Sequence, residues 1–187
     1  MPVTTLDQRT ALIIIDLQKG IAAIPCAHPM ADVVSNAARL AAAFRGHGLP
    51  VVLVNAAGIA PGRTEQGRRL PPDLPADWTD LLPELDQQKE DHLVTKRTWG
   101  AFTGTDLEEY LEDEAVTQVV ICGVATSFGV ESTARHAYEL GFNVTLAIDA
   151  MTDMSADAHA NSLARIFPRL GETGTTEEIT ALLKCDA

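Results

Sequence analysis

Short, almost continuous apolar segments recur along the chain, and each ends abruptly at a polar residue or a turn. The clearest are residues 11–15, 51–54, 119–122 and 144–148. Strands of a parallel sheet covered by helices on both faces have this composition, because neither face of such a strand meets water. Segments with helical spacing lie between them. The alternation predicts a doubly wound α/β fold with a mostly parallel sheet.

The first helical segment, residues 30–45, has apolar side chains at every third or fourth position, and Gly46 and Gly48 follow as signals for its end. Residues 57–77 are rich in Gly, Pro and Arg and are predicted to form a long functional loop. The other elements are less distinct. Strands are predicted at 92–95 and 170–174, and helices at 107–114, at 130–140, from an N-cap at Ser155 to Phe167, and from Thr175 or Thr176 to about Lys184.

The composition indicates one compact domain over residues 1–187 and disfavours some partners. Hydrophobic residues make up 46% of the 187 residues, enough for a sizeable core. A net charge of −12 disfavours nucleic acid and anionic membranes, because phosphate groups need basic patches. We see no signal-peptide pattern, no long apolar span and no CxxC spacing among the three cysteines. We therefore expect a cytoplasmic protein.

Charged side chains directly follow two of the predicted strands. Asp16 comes after residues 11–15, and Lys96 after residues 92–95. Functional groups of a doubly wound sheet collect at the carboxyl ends of its strands. A carboxylate there can act as a general acid or base, and a nearby ammonium group tunes its pKa. From the residues alone, Asp16 is equally open to a role as a helix cap, and Lys96 is better explained as a surface lysine.

A turn between a strand and a helix is the third feature of this edge. Residues 123–135 read GVATSFGVESTAR. A cysteine or serine at the start of the helix would be a nucleophile beside free N–H groups, but the chain has Gly129 at this position. Ser127, Ser132 and Cys26 are the alternative nucleophiles, although no histidine or lysine is assigned beside either serine.

Three segments resemble the isochorismatase-like (cysteine hydrolase) family in order, spacing and position at strand ends. They are residues 11–18 (ALIIIDLQ), 94–102 (VTKRTWGAF) and 123–135, and the resemblance runs from about residue 9 to Leu183. It implies a sheet of six parallel strands and an Asp-Lys-Cys triad with Asp16 and Lys96 as its first two members. It also implies a cis bond between Val124 and Ala125 that helps to shape an oxyanion site. Because relatives commonly assemble, we expect a homo-oligomer.

The third member of the triad differs, because Gly129 stands where the amidases of this family carry cysteine. A glycine here is similar to the true isochorismatases, whose vinyl ether substrate is protonated on its terminal carbon and then attacked by water. The resemblance thus implies a hydrolase of a small molecule in which Asp16 supplies the proton, Lys96 holds or polarises the substrate and Gly129 leaves room. Isochorismatases carry tyrosines where this chain has Ala125 and Trp99, which leaves open a related small acid as substrate.

We assign substrate contacts to residues beside the strand ends and in the long loop: Gln18, Trp99, Ala125, Phe128 and Arg63. Trp99 and Phe128 are equally open to ordinary core packing. Arg63, with Arg68 and Arg69, is explained slightly better as a solvated loop than as a carboxylate site. The histidines show no ligand spacing, so neither a metal nor another cofactor is expected. An amide or carbamoyl hydrolase with an unusual nucleophile and a catalytically silent binding protein are the alternative functions.

Overall fold

The computed structural model describes residues 2–67 and 74–183. Within these residues, six strands form one sheet in the order β3-β2-β1-β4-β5-β6, and every neighbouring pair is parallel. The strands are β1 Thr10–Ile15, β2 Val51–Ala56, β3 His92–Lys96, β4 Gln118–Val124, β5 Asn143–Thr152 and β6 Glu172–Gly174. The predicted parallel sheet is confirmed.

Helices cover both faces of the sheet. In the described part of the chain the α-helices are α1 Lys19–Ala22, α2 Met30–Gly46, α3 Leu107–Asp113, α4 Glu131–Glu139, α5 Ala156–Asn161 and α6 Thr176–Leu183. α2 and α6 contribute buried side chains to the core on one face, and α3 and α4 to the core on the other. β1 lies between these two cores, and all six of its residues are buried, as its continuous apolar sequence predicts.

The order of the strands creates a crevice at the carboxyl ends of β1 and β4. The chain proceeds outward from β1 through β2 to β3, and it then returns to the other side of β1 as β4. Ligands of open α/β sheets bind where the strand order reverses in this way. The register pairs Ile15 with Gly123, so Asp16 and the turn that follows β4 begin at the same level of the sheet.

Several elements differ in detail from the sequence expectations. β5 continues to Thr152, four residues beyond its predicted end, because the strand extends past the apolar run into a more polar sequence. The helix predicted to reach Phe167 is interrupted: α5 ends at Asn161 and is followed by a wide helical turn, Ser162–Ile166. Short helices at Lys19–Ala22 and Pro83–Leu85 were not predicted.

Two predicted caps are confirmed by hydrogen bonds. The Ser155 hydroxyl accepts from the Ala158 N–H at 3.2 Å and caps α5. The Thr175 hydroxyl accepts from the Glu178 N–H at 3.2 Å, and Glu178 accepts in return from the Thr175 N–H at 2.8 Å, which forms a capping box for α6.

The predicted long loop has no helix or strand in residues 57–67 or 74–77. Arg68, Arg69, Lys184 and Cys185 lie outside the described residues. Among the helices that the structure describes, none combines the length and the apolar character needed to cross a membrane.

Candidate active site

Asp16 stands directly after β1 with its backbone in the left-handed region, at φ 55°. Aspartate tolerates this conformation better than most residues. The Asp16 N–H donates to the Val54 carbonyl at 2.8 Å, so the turn stays joined to β2. Only 7% of the side chain is exposed. Its Oδ1 atom is buried and has no hydrogen-bond partner among the described residues.

Lys96 is the last residue of β3, and its side chain reaches across the end of β2 to Asp16. Nζ lies 2.8 Å from Asp16 Oδ2, and it also donates to the Thr98 carbonyl at 3.2 Å. Only 3% of the side chain is exposed. A buried ammonium group requires such partners, because isolating its charge from water is costly. The two strand-end charges are therefore one buried pair.

The carboxyl group of Asp16 is poised to gain and lose a proton near neutral pH. Burial raises its pKa, since the charged form loses its hydration, while the charge and the hydrogen bond of Lys96 lower it. The effect of burial is larger, and the pKa rises to about 6. General acids work best when their pKa lies close to the working pH.

The β4–α4 turn (Thr126–Val130) passes over this pair. It is a wide helical turn in which the Val130 N–H donates to the Ala125 carbonyl at 3.1 Å, and it leads directly into α4. The preceding Val124–Ala125 peptide bond is cis, as the resemblance implied. Gly123, with φ 115°, lets β4 approach β1 closely, because a Cβ atom there would lie 2.0 Å from the Ile15 carbonyl oxygen.

Gly129 brings the backbone of this turn against Asp16. A Cβ atom at Gly129 would lie 3.4 Å from Asp16 Oδ2 and 2.9 Å from Cγ2 of Ile15. Any side chain at this position would therefore start beside the Asp16 carboxyl group. The structure brings together Asp16, Lys96 and Gly129, the three positions to which the sequence assigned the chemistry.

Two of the residues expected to contact substrate, Trp99 and Phe128, form an aromatic pair, and each is close in sequence to a residue of the site. Trp99 follows Lys96 by three residues, and Phe128 directly precedes Gly129. Their rings meet edge to face with centroids 4.8 Å apart. Trp99 is 53% exposed, which is unusual for a tryptophan, whereas Phe128 is half-buried. The pair thus presents an apolar surface to solvent.

The other expected contacts have different surroundings. Gln18 is fully buried: its Nε2 donates to the carbonyls of Ala56 and Trp78 at 3.1 and 2.8 Å, and its Oε1 accepts from the Ala56 N–H at 2.6 Å. Its amide is occupied in joining three segments of backbone. Ala125 is buried in the core that contains α2. Arg63 is exposed, and among the described residues it has no ion-pair partner. For all three, a contact with substrate stays a prediction.

The sequence reasoning missed the residue that supports the β4–α4 turn. Asp153, which is 1% exposed, follows the last residue of β5 and accepts hydrogen bonds from the Ser127 N–H and hydroxyl at 2.8 and 2.7 Å. The available signal was a charged residue after a strand. It was overlooked because the apolar run that marks β5 ends at Ile148, and Asp153 comes five residues later.

The alternative nucleophiles lie in varied surroundings. Ser127 donates its hydroxyl hydrogen to Asp153, and Ser132 lies within α4. The thiol of Cys26 is half-buried, and burial together with Asp153 raises its pKa, which disfavours the thiolate. Cys122 is fully buried in β4, and burial raises its pKa strongly.

Across residues 2–67 and 74–183, no three His, Cys, Asp or Glu side chains are placed to hold a metal ion.

Comparison with known proteins gives consistent matches. The sequence pattern described as the isochorismatase domain matches residues 10–178. The isochorismatase family protein YwoC of Bacillus subtilis (strain 168) is 43% identical over 183 residues, 95% of each chain. A protein of Pseudomonas chlororaphis named as a probable isochorismatase is 29% identical over 181 residues, 92% of this chain and 85% of that one. The solved structure of an isochorismatase family protein from Burkholderia thailandensis has a TM-score of 0.92 and 42% identity, and the match covers 96% of this chain and 98% of the other.

Proposed function

The chain belongs to the isochorismatase family of hydrolases, and we propose that it hydrolyses a small vinyl ether, isochorismate or a related acid, by proton transfer from Asp16. One observation carries the proposal: a buried carboxyl group with a pKa of about 6 has one oxygen on Lys96 and the other without a partner among the described residues. Gly129, which has no nucleophilic atom, is the residue that faces it.

The reaction begins with the protonated form of Asp16, about a tenth of the molecules at pH 7 for a pKa of about 6. The proton passes from the carboxyl group to the terminal carbon of the vinyl ether, and the ether carbon becomes an oxocarbenium ion. Water adds to that carbon and loses a proton, which returns to the Asp16 carboxylate. The resulting hemiketal then breaks its carbon–oxygen bond to release an alcohol and a ketone. No atom of the protein bonds to the substrate.

Lys96 stabilises the state that follows proton transfer. Its ammonium group, 2.8 Å from Oδ2, offsets the negative charge that forms on Asp16 in a site with little water. Trp99 and Phe128 offer an apolar surface next to both strand ends for the hydrocarbon part of the substrate. Because Gly129 has no side chain, nothing from position 129 crowds the Asp16 carboxyl group.

Solvent isotope labelling tests the chemistry directly. Purified protein is incubated with isochorismate in D2O, and the released pyruvate is trapped at once as lactate by lactate dehydrogenase. Protonation of the terminal carbon places one solvent deuterium in each methyl group, and the Asp16→Asn variant should release no pyruvate. A panel of other enol ethers of pyruvate distinguishes a related substrate from isochorismate. Failure to cleave any vinyl ether would overturn the proposal.

An amide or carbamoyl hydrolase is the second candidate, because Ser127 donates its hydroxyl hydrogen to the Asp153 carboxylate at 2.7 Å. A carboxylate that accepts a hydrogen bond from a serine hydroxyl can act as the general base that activates the serine as a nucleophile. The same protein is therefore assayed with nicotinamide and simple carbamoyl compounds. Amide cleavage that is lost in Ser127→Ala, with an acyl group on Ser127 in rapidly quenched samples, would favour this second candidate.

A further inference from the structure

Asp153 joins the end of β5 to the turn that follows β4. Its Oδ2 accepts from the N–H and the hydroxyl of Ser127 at 2.8 and 2.7 Å, and its Oδ1 accepts from the Ser155 N–H at 3.1 Å. The Asp153 carbonyl also accepts from the Ala27 N–H at 2.8 Å. A side chain with 1% exposure and three hydrogen bonds has one defined position. Asp153 is thus a fixed anchor for Ser127.

Two further hydrogen bonds hold the β4–α4 turn at other points. The buried hydroxyl of Thr126 lies 2.9 Å from Nδ1 of His159, and the hydroxyl of Thr133 donates to the Gly129 carbonyl at 2.7 Å. The turn therefore has little freedom to move. A Cβ atom at Gly129 would lie 3.4 Å from Asp16 Oδ2, so the turn passes close to that carboxyl group and its position affects how much water reaches it.

We propose that Asp153 is a positioning residue: by holding Ser127 it keeps the β4–α4 turn against Asp16 and excludes water from the Asp16 carboxyl group. The proposed reaction scheme assigns Asp153 no role. The inference rests on the proposed function only for its effect on turnover. Its effect on the proton affinity of Asp16 is a property of the protein without substrate, so it can be tested separately.

The other titratable groups around Asp16 have their own partners. Lys96, from β3, is the charged group that contacts Asp16. Glu131, at the start of α4, is bonded to Arg135 and to Ser162. On the far side of the turn, the ring of His159 is bonded to Thr126 and packs against the ring of His28 at 4.6 Å, and His28 is bonded to Thr152. Of these groups, only Lys96 contributes to the pKa shift of Asp16 beside burial. Loosening the turn is therefore expected to act through hydration, which lowers the pKa of Asp16 from about 6 toward its ordinary value.

The experiment measures the Asp16 titration in three variants. The carboxyl carbon resonance of Asp16 is assigned by its absence in Asp16→Asn and is followed from pH 3 to 9 by ¹³C NMR without substrate. Ser127→Ala removes one bond to Asp153 and leaves every charge in place. Asp153→Asn replaces one carboxylate oxygen by an NH2 group, which then faces an N–H group, so at least one of the three bonds is lost. Ser155→Ala is the matched control, because it removes the α5 cap and leaves the Asp153 bonds to Ser127 intact.

The midpoint of the Asp16 titration should fall in Ser127→Ala and in Asp153→Asn and stay unchanged in Ser155→Ala. With substrate, kcat should decrease by up to about 100-fold in Asp153→Asn, with a smaller change in KM, and the pH at which activity is lost should move down with the midpoint. Ser127→Ala shows the effect of loosening the turn on the Asp16 midpoint without removing the Asp153 charge. It therefore tests the inference even if Asp153→Asn does not fold. An Asp16 midpoint that is the same in Ser127→Ala as in the wild type would overturn the inference. That result is independent of whether any vinyl ether is cleaved.

Discussion

Oδ2 of Asp16 lies 2.8 Å from Nζ of Lys96, and both side chains are almost completely buried. Two opposite effects therefore act on the Asp16 carboxyl group: burial raises its pKa, and the Lys96 ammonium group lowers it. Burial is the larger effect, so the pKa is about 6 and not below the ordinary 3.8. The pair is accordingly an ion pair that is interrupted by protonation close to neutral pH. This property gives rise to the following predictions.

Replacement of Asp16 by Asn should abolish turnover and leave the fold intact. Asparagine has nearly the same shape and tolerates the left-handed backbone at this position, but it cannot donate a proton as an acid. General acid catalysis contributes about 10²–10⁴-fold, so kcat should fall by at least about 100-fold. Steady-state kinetics measure the loss, and circular dichroism spectra compare the folds. Near-normal activity would remove Asp16 from the mechanism.

The free energy of unfolding should decrease as the pH rises through the titration of Asp16. The folded-state pKa is about 6, above the ordinary value of 3.8 expected in the unfolded chain, so the folded state binds this proton more tightly. The stabilising contribution is complete below the ordinary pKa and is lost as the pH rises through about 6, a change of about 3 kcal/mol.

Urea unfolding of the wild type and of Asp16→Asn at pH 4 to 8 measures this change. The difference between the two free energies isolates Asp16 from the other titratable groups. The wild type should lose stability relative to the variant between about pH 4 and 6 and show no further relative change above about pH 7. A difference that is constant with pH would contradict the raised pKa.

Lys96→Met should lower the maximal rate and raise the pH at which activity is lost. Without the ammonium group, burial acts unopposed and the pKa of Asp16 rises above about 6. Since the protonated carboxyl group is the proposed acid, activity persists to higher pH. Profiles of kcat/KM from pH 4 to 9 measure the shift. Arg97→Met, which removes an exposed neighbouring cation, is the control and should not move the profile. Lost activity with an unshifted profile would mean that Lys96 does not influence the Asp16 proton.

Gly129→Cys should place a thiol beside the Asp16–Lys96 pair and abolish the native activity by crowding. A Cβ atom there lies 3.4 Å from Asp16 Oδ2. Gly129→Ala crowds the site without a thiol and should lose native activity as well. Alkylation by iodoacetamide should be faster in Gly129→Cys than in Gly129→Cys/Lys96→Met, because a nearby cation favours the thiolate. Equal rates would place the new thiol away from Lys96.

The parts of the site that could be predicted from the sequence are those at abrupt changes in polarity. Asp16 directly follows β1 and Lys96 is the last residue of β3. Because the carboxyl ends of parallel strands share one edge of the sheet, their meeting could be predicted. Asp153 could not, because β5 continues through a sequence of mixed polarity and gives no sharp end. Gln18 shows another difficulty. Its position next to the site is clear from the sequence, whereas its bonds to Ala56 and Trp78 depend on how distant segments pack.

The short distance between positions 129 and 15 also affects how a site without a protein nucleophile can evolve into one with a nucleophile at position 129. A Cβ atom at Gly129 would lie 2.9 Å from Cγ2 of Ile15, closer than carbon atoms approach without displacement, and Ile15 is fully buried. A mutation that introduces a nucleophile at 129 therefore requires either a shift of Ile15 or of the turn, or a smaller residue at position 15. Positions 129 and 15 are therefore epistatic: the effect of a substitution at position 129 depends on which residue already occupies position 15. Among descendants of such a chain, a side chain at position 129 is expected to be accompanied by an altered residue at position 15 or by a displaced turn.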